Sequence, residues 1–308
     1  MTIQQLEYVV AVDKYRHFIN AAKACGITQS TLSAMIQKLE NELDVIIFDR
    51  NSHPIKPTYI GEKIINQAKI ILYNSKQLME MVMDERNKSE GQIKLGIIPT
   101  VATYILPKLF KEVMDNHPNI RLNVTETQTS NITRQLHRAE LDMAILATPL
   151  DEDDLLEIPI YYEEFMAYIS PLDDLYKEKE INSSSMVLDN MWILQEGHCF
   201  RNQVLNFCKQ NSDFKPNYEA GNIDTLVKIV DKNKGYTIIP KLHIDLLTEE
   251  QKKNIRPLVS PKIVREISIV IRKDYVRETL LNHIAEMLKS IIPENMIDER
   301  LKKFAIRL

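Results

Sequence analysis

An α/β fold, preceded by a small helical head and one long helix, is the class that this chain of 308 residues predicts. Three observations carry that expectation. Two short apolar helical patterns meet at a glycine near the N-terminus; a period close to 3.5 residues then runs for about thirty positions; beyond Gly91, short apolar runs alternate with helical stretches. The length suffices for two domains, and 44% hydrophobic residues suffice for a sizeable core.

Phe18, Ala21, Ala22 and Cys25 recur at helical spacing, "GIT" interrupts, and Leu32, Ile36, Leu39 and Leu43 resume the period. Gly26 can end the first helix in the left-handed conformation and Thr28 can cap the second, so "AAKACGITQSTLSAMIQKLENEL" reads as helix-turn-helix. Opposite the apolar stripe stand Ser30, Ala34, Gln37 and Asn41, a small polar face. "DVIIFDRNSHPIKPT" follows, two extended pieces around a turn, which predicts a hairpin wing carrying Arg50.

From Thr58 to about Lys88 one long helix is expected, with Ile64, Ala68, Ile71, Ser75, Leu78 and Val82 forming a seam that asks for a partner helix. "NKSEG" closes it. After Gly91, "IKLGII", "IRLNVTE", "LDMAILA", "FMAYIS", "MWILQ", "YTIIP" and "EISIVIR" alternate with helical stretches, which predicts mainly parallel strands in two small lobes. The second series starts near Glu164, and Arg265 to Arg272 returns to the first lobe. The expected division is 1–58 for a winged helix-turn-helix, 59–90 for a dimerising linker, and 91–308 for a two-lobed domain. Its first lobe takes 91–163 and 267–308, its second 164–266.

A net charge of −4 does not by itself mark a nucleic-acid binder. The head is balanced: Lys14, Arg16, Lys23, Lys38, Arg50 and Lys56 face Glu7, Asp13, Glu40, Glu42, Asp44 and Asp49. The first ten residues lack a signal-peptide pattern, and no run reaches the roughly 18 apolar residues a membrane helix needs, so a cytoplasmic protein without a membrane partner is expected. Three cysteines cannot build a disulfide framework in a reducing compartment, and any disulfide would be transient. The seven histidines are scattered, and Cys-x-x-Cys, glycine-rich phosphate loops and G-x-S-x-G are absent. Neither an enzyme nor a resident cofactor or metal is expected.

A recognition helix places its N-terminal residues at base edges in the major groove, which nominates Gln29, Ser30 and Ser33, with Thr31 and Arg50 toward phosphates. In the α/β part, "IIPT" ends a strand with Thr100 and "TETQTSN" ends the next with Thr129, each just before a helical stretch. They are either hydroxyls converging on one small polar ligand or ordinary helix caps. "EGHCFRNQVLNFC", residues 196–208, places Cys199 near a helix N-terminus, where the dipole, Arg201 and His198 favour thiolate. Cys199 and Cys208 stand nine apart, about 900° around a helix and roughly 13 Å along it. A disulfide needs Cα atoms within about 7 Å, so the two could bond only if that helix unwinds. Two ordinary thiols, Cys208 as apolar filler beside Phe207, remain the alternative. Cys25 sits on an apolar face as a small buried hydrophobe.

With these pieces in order, the chain resembles the LysR-type bacterial transcription regulators over essentially its whole length. "LEYVVAV", "HFINAAKACGITQSTLSAMIQKLENEL" and "FDRNSHPIKPTYIG" carry the likeness, and "IPTV", "TQT" and "EGHCFRNQVLNFC" resemble its hydrogen peroxide sensors. The resemblance implies a periplasmic-binding-protein-like effector domain. It implies Cys199 as the cysteine oxidised first, to sulfenic acid, and Cys208 as its resolver. Thr100, Thr129, His198 and Arg201 would shape the peroxide pocket, and Gln29, Ser30, Thr31, Ser33 and Arg50 would contact DNA. It further implies double-stranded promoter DNA and RNA polymerase as partners, a homodimer assembling to a homotetramer, a glutaredoxin- or thioredoxin-type reductant, and activation of oxidative-stress genes.

Two positions depart from the family pattern. Asp44 stands where glycine is usual and must tolerate a left-handed conformation, and Asn217 stands where a histidine is found near the pocket of enteric members. A regulator responding to a bound metabolite is the alternative function, and a thiol peroxidase using the same cysteines is the enzymatic one.

Overall fold

The computed structural model describes residues 1–84, 91–183, 186, 190–197, 199–207 and 219–297. His198, Cys208 and Asn217 lie outside the described residues, and so does the side chain of Cys199. The chain divides into two compact units.

The first unit opens with α1 (Ile3–Tyr15), which the sequence reading did not assign, followed by α2 (Phe18–Ala24) and α3 (Gln29–Leu43). Thr2 and Gln5 cap α1 reciprocally, satisfying two N–H groups that the first turn leaves free. The turn between α2 and α3 forms as the local rules require: Gly26 has φ +67°, and Thr28 Oγ1 accepts from the Thr31 N–H at 3.2 Å. Asp44 closes α3 at φ +53°, the left-handed conformation its position demanded. Strands β1 (Phe48–Asp49) and β2 (Lys56–Pro57) pair antiparallel as the wing. Val9, Val12, Leu32, Ile36, Leu39 and Phe48 are wholly buried between these elements. Each such side chain stabilises the unit by about 1.5–3 kcal/mol. Cys25 packs against that core, where burial and then Glu7 push its thiol pKa up, away from reactivity.

The long helix α4 (Tyr59–Asp84) splits the seam that the sequence reading drew as one stripe. Ala68 is buried, and Ile64 and Ile71 pack on the unit's own core, whereas Leu78 and Val82 are 67% and 51% exposed. Gly61 lets α4 leave the wing at close quarters: a Cβ there would stand 2.0 Å from the Ile47 carbonyl oxygen.

The second unit contains β3 (Gly91–Ile97), α5 (Pro99–Asn116), β4 (Ile120–Glu126), α6 (Thr129–His137) and β5 (Met143–Thr148). Then come β6 (Leu155–Ile169), β7 (Ile181–Asn182), β8 (Ile193–Leu194), α7 (Cys199–Phe207), β9 (Glu219–Ala220) and α8 (Ile223–Lys232). β10 (Tyr236–Pro240), α9 (Glu249–Lys252), β11 (Ile255–Val259), β12 (Val264–Arg272) and α10 (Glu278–Ile291) complete it. Strand order is β4-β3-β5-β12-β6-β11-β7, with β10 also on β6.

The sheet is mixed and not mainly parallel as the alternation suggested. β3 pairs parallel with β4 and β5, but β12 runs antiparallel to β5 and β6, and β6 antiparallel to β10 and β11. The reason is the crossover: β6 spans both lobes, pairing with β12 as far as Glu164 and with β10 from Phe165, and β12 must run back beside it. One lobe buries Leu95, Val101, Ile105, Ile145 and Ile284; the other buries Tyr168, Ile193, Phe200, Leu226 and Ile238.

Candidate functional site

At the crossover, Glu163 of β6 and Arg265 of β12 are register partners, and both side chains are 0% exposed. Arg265 donates to Glu163 Oε2 from Nε at 3.0 Å and from Nη2 at 2.8 Å. The same guanidinium reaches α5: Nη1 donates to Thr100 Oγ1 at 3.0 Å, and Nη2 to the Thr100 carbonyl and the Tyr104 hydroxyl, each at 3.0 Å. Glu163 is held too, by the Tyr104 hydroxyl at 2.8 Å and the Leu242 N–H at 3.0 Å. Burial, and then the Glu163 carboxylate, drive the Tyr104 pKa far up, so its hydroxyl stays protonated. A buried charge survives only when paired and fully hydrogen-bonded, and this one is.

Arg265 also carries the network to α7. Its guanidinium carbon lies 5.3 Å from the Phe200 ring centroid and 5.7 Å from that of Phe165, and the two rings meet edge to face at 4.9 Å. Phe200 follows Cys199, the first residue of α7. A buried guanidinium thus lies against the ring of the residue that follows Cys199, and Cys199 itself opens a helix whose first N–H groups have no partner within the helix. Thr100 Oγ1 accepts from Arg265, which leaves its own proton free to donate.

The residue before α6 reaches the loop that precedes α7. Gln128 Nε2 donates to the Glu196 carbonyl at 3.2 Å, and a Cβ on Gly197, whose φ is +92°, would meet the Gln128 amide at 2.4 Å. The first turn of α6 thus packs on the loop that delivers Cys199. Among the described residues, Thr129 Oγ1 and both amide atoms of Gln203 are buried with no hydrogen-bond partner. Gln203 lies one turn beyond Cys199 on α7, on the same helical face. Unpaired buried polar atoms point to a polar occupant.

Arg201 is placed elsewhere. Its guanidinium donates to the Leu194 carbonyl at 2.9 Å and pairs with Glu219, tying α7 to both β8 and β9. Two residues past Cys199 is about 200° around a helix, which turns Arg201 from the face that Cys199 and Gln203 share. The sequence reading named neither Arg265, Glu163 nor Gln203. The glutamine's i, i+4 spacing from Cys199 was the one local signal available.

In the first unit, Gln29, Ser30 and Thr31 are exposed in the opening turn of α3, Ser30 and Thr31 sharing Thr28 Oγ1 at 2.9 and 2.8 Å. Arg50 reaches back from the wing, donating to Ser33 Oγ at 3.2 Å and to Glu40 Oε2 at 2.9 Å. Glu40 Oε1 accepts from the Ile47 and Phe48 N–H groups, so one carboxylate fixes both the wing and its arginine. All five expected DNA-contacting residues share one end of α3 and the adjoining wing.

Comparison with known proteins decides the family. Residues 3–62 match the bacterial regulatory helix-turn-helix protein, lysR family, and residues 86–291 match the LysR substrate binding domain. This chain belongs to the LysR family. LysR-type proteins are DNA-binding transcription regulators and not enzymes. Among relatives, the hydrogen peroxide-inducible genes activator of Haemophilus influenzae is 33% identical over 95% of this chain and 99% of its own. The DNA-binding transcriptional dual regulator OxyR of Escherichia coli is 29% identical over 94% of this chain and 95% of its own. A full-length OxyR variant of Pseudomonas aeruginosa shares the fold with a TM-score of 0.79 at 28% identity, covering 94% of this chain and 98% of that one. Among the described residues of this LysR-family chain, no helix is long and apolar enough to cross a membrane.

Proposed function

We propose that this LysR-family regulator senses hydrogen peroxide through Cys199 and Cys208. The observation that carries the reading is the buried Arg265 guanidinium. It is bonded to Thr100 and stacked near Phe200, at the start of the helix that Cys199 opens. A cation and a helix N-terminus both favour thiolate, the form that attacks peroxide. The Cys199 thiolate attacks one peroxide oxygen, the O–O bond breaks, and the leaving hydroxide takes a proton to become water. The Cys208 thiol then displaces a second water from the sulfenic acid, forming the disulfide. Thr100 donates to the peroxide, Thr129 and Gln203 supply unpaired polar atoms, and His198 completes the pocket.

Gln29, Ser30, Thr31, Ser33 and Arg50 read promoter DNA. The exposed half of α4, with Leu78 and Val82, supplies the dimer contact, and dimers assemble to tetramers. Peroxide-dependent rearrangement alters RNA polymerase recruitment at oxidative-stress genes in the cytoplasm, and a glutaredoxin- or thioredoxin-type reductant resets the disulfide. The match to the LysR substrate binding domain favours one competing reading, a regulator that responds to a small organic effector.

Peptide mass mapping after a brief peroxide pulse separates the two. A Cys199–Cys208 link supports the sensor, whereas two persistently free thiols refute it. Cys199→Ser should abolish peroxide-dependent changes in the footprint on the gene's own upstream DNA. Cys208→Ser should still form sulfenic acid yet switch poorly.

A further inference from the structure

The loop ahead of Cys199 is clasped by a side chain from the other lobe. Gln128 closes the start of α6: its carbonyl accepts from the Asn131 and Ile132 N–H groups, each at 3.0 Å, and the Thr127 N–H before it donates to the Ile97 carbonyl at 3.1 Å. Ile132 and Leu136 seat α6 in the core of the first lobe. The Gln128 side chain leaves that lobe and donates from Nε2 to the Glu196 carbonyl at 3.2 Å. Its amide also lies on Gly197. A Cβ there would stand 2.4 Å from Oε1 and 2.6 Å from both Cδ and Nε2, so the amide fills the space in which any other residue would carry its side chain. Gly197 has φ +92°, a conformation that glycine adopts without steric cost.

On either side of this loop the second lobe holds the chain itself. β8 pairs with β9, and the Gln195 N–H donates to the Ala220 carbonyl at 2.9 Å. Past Cys199, α7 is fixed by Phe200 in the second core and by Arg201 on Glu219. Between those anchors, among the described residues, the Gln128 amide is the one group hydrogen-bonded to residues 196–197.

We propose that Gln128 is a positioning residue for the Cys199 loop: its clasp on Glu196 and Gly197 is closed in the dithiol form, opens in the disulfide form, and so sets the redox poise of the cysteine pair. The proposal rests on the peroxide-sensing reading given above. Residues nine apart on a helix stand roughly 13 Å apart along it, and bonding the two sulfurs brings their Cα atoms within about 7 Å, so the chain around Cys199 changes its path. A hydrogen bond made in one redox form alone shifts the balance between the forms by its own net worth, which for a neutral amide and carbonyl is about three- to tenfold. The clasp favours the dithiol, making the pair harder to oxidise and easier to reset.

The test equilibrates the full-length protein with glutathione and glutathione disulfide in varied ratio at constant pH and reads the linked fraction by mass. Two glutathione thiols reduce the Cys199–Cys208 bond to two thiols and leave as one glutathione disulfide. Gln128→Glu keeps the shape but has no N–H to donate, and Gln128→Ala removes the amide altogether. Each should favour the disulfide by about three- to tenfold, a fall in potential of about 15–30 mV. Melting separates a clasp from general packing: each variant should melt below wild type in the dithiol form and alongside it in the disulfide form. Gly197→Ala should displace the amide and shift the equilibrium in the same direction, and joined to Gln128→Ala it should shift it by less than the sum of the two. Wild-type potentials in both Gln128 variants, additive shifts in the double variant, or an equal loss of melting temperature in both redox forms overturns the proposal. Wild-type protein with no Cys199–Cys208 link at any glutathione ratio overturns the sensing reading itself, and this proposal with it.

Discussion

Arg265 Nη1 donates to Thr100 Oγ1 at 3.0 Å although 165 residues separate them in the chain. That bond joins the crossover strand to the first turn of α5, and the same guanidinium holds the buried Glu163 carboxylate. Arg265→Met should lower stability by about 3–5 kcal/mol, because it strands a buried carboxylate without its cation. Arg265→Met/Glu163→Met should recover much of that loss while leaving peroxide oxidation of Cys199 slow. Urea unfolding and stopped-flow oxidation of the two variants distinguish the stabilising role from the chemical one.

Thr100→Val keeps the shape and removes the oxygen. The Arg265 N–H then loses an acceptor in a fully buried setting, at a cost of about 1–3 kcal/mol. If the hydroxyl also donates to peroxide, the rate constant for Cys199 oxidation falls by at least tenfold, while Thr100→Ser stays near wild type. Equal oxidation rates for the valine and serine variants would leave Thr100 a helix-start residue only.

Arg201 fastens α7 to the strands on either side of it, through the Leu194 carbonyl and Glu219. If Cys199 and Cys208 pair as proposed, residues nine positions apart on a helix must come within about 7 Å and α7 must give way, so that attachment opposes the step. Glu219→Gln should therefore speed the step from sulfenic acid to disulfide without altering the initial reaction of Cys199. Trapping the sulfenic acid with a dimedone-type probe over time reads both steps separately.

Much of the first unit was legible because its determinants are local: Gly26, Thr28 and the apolar period of α3 act within a few residues. α1 escaped because its "YVVAV" run is β-branched and obscures the helical period, and it is buried against α4, α2 and α3. The crossover pair was out of reach for a different reason. Glu163 and Arg265 flank apolar strand runs and look like solvated strand ends, and only the register of β6 with β12, 102 residues apart, makes them partners. Thr100 and Thr129 were found as residues but misplaced locally: β3 ends at Ile97, so Thr100 already stands in α5, and Thr129 opens α6. Alternation of strands and helices specified an α/β class, yet it carries no information on the direction of the strand that returns from the second lobe.

His243 is 1% exposed, and Asp224 stands 3.4 Å from its Nε2. Burial, opposed by Asp224, lowers its pKa below 6.5, so the folded state holds the ring neutral while the unfolded chain binds a proton. Stability from this group is complete above pH 6.5 and is lost as pH falls from there toward the depressed folded value. Wild-type Tm should thus drop between pH 7 and pH 5 more steeply than that of His243→Leu. Parallel melting curves for the two proteins over that range would show that His243 titrates alike in both states.

Gly61 puts the start of α4 against the wing, 2.0 Å separating a notional Cβ from the Ile47 carbonyl oxygen. That oxygen accepts from the Thr58 N–H at 2.9 Å, and the Thr58 hydroxyl donates to Ile46 and accepts from the Gly61 N–H. No side chain can swing aside there, because the obstacle is backbone held by its own hydrogen bonds. Gly61→Ala should cost about 1–3 kcal/mol and shift the wing, with Arg50 on it. Binding to upstream DNA should weaken at least tenfold while the kinetics of Cys199 oxidation stay at the wild-type rate. Loss of both together would mean that the substitution unfolds the chain instead of moving the wing, and Gly61→Ser with the same melting temperature as Gly61→Ala would then confirm steric exclusion as the cause.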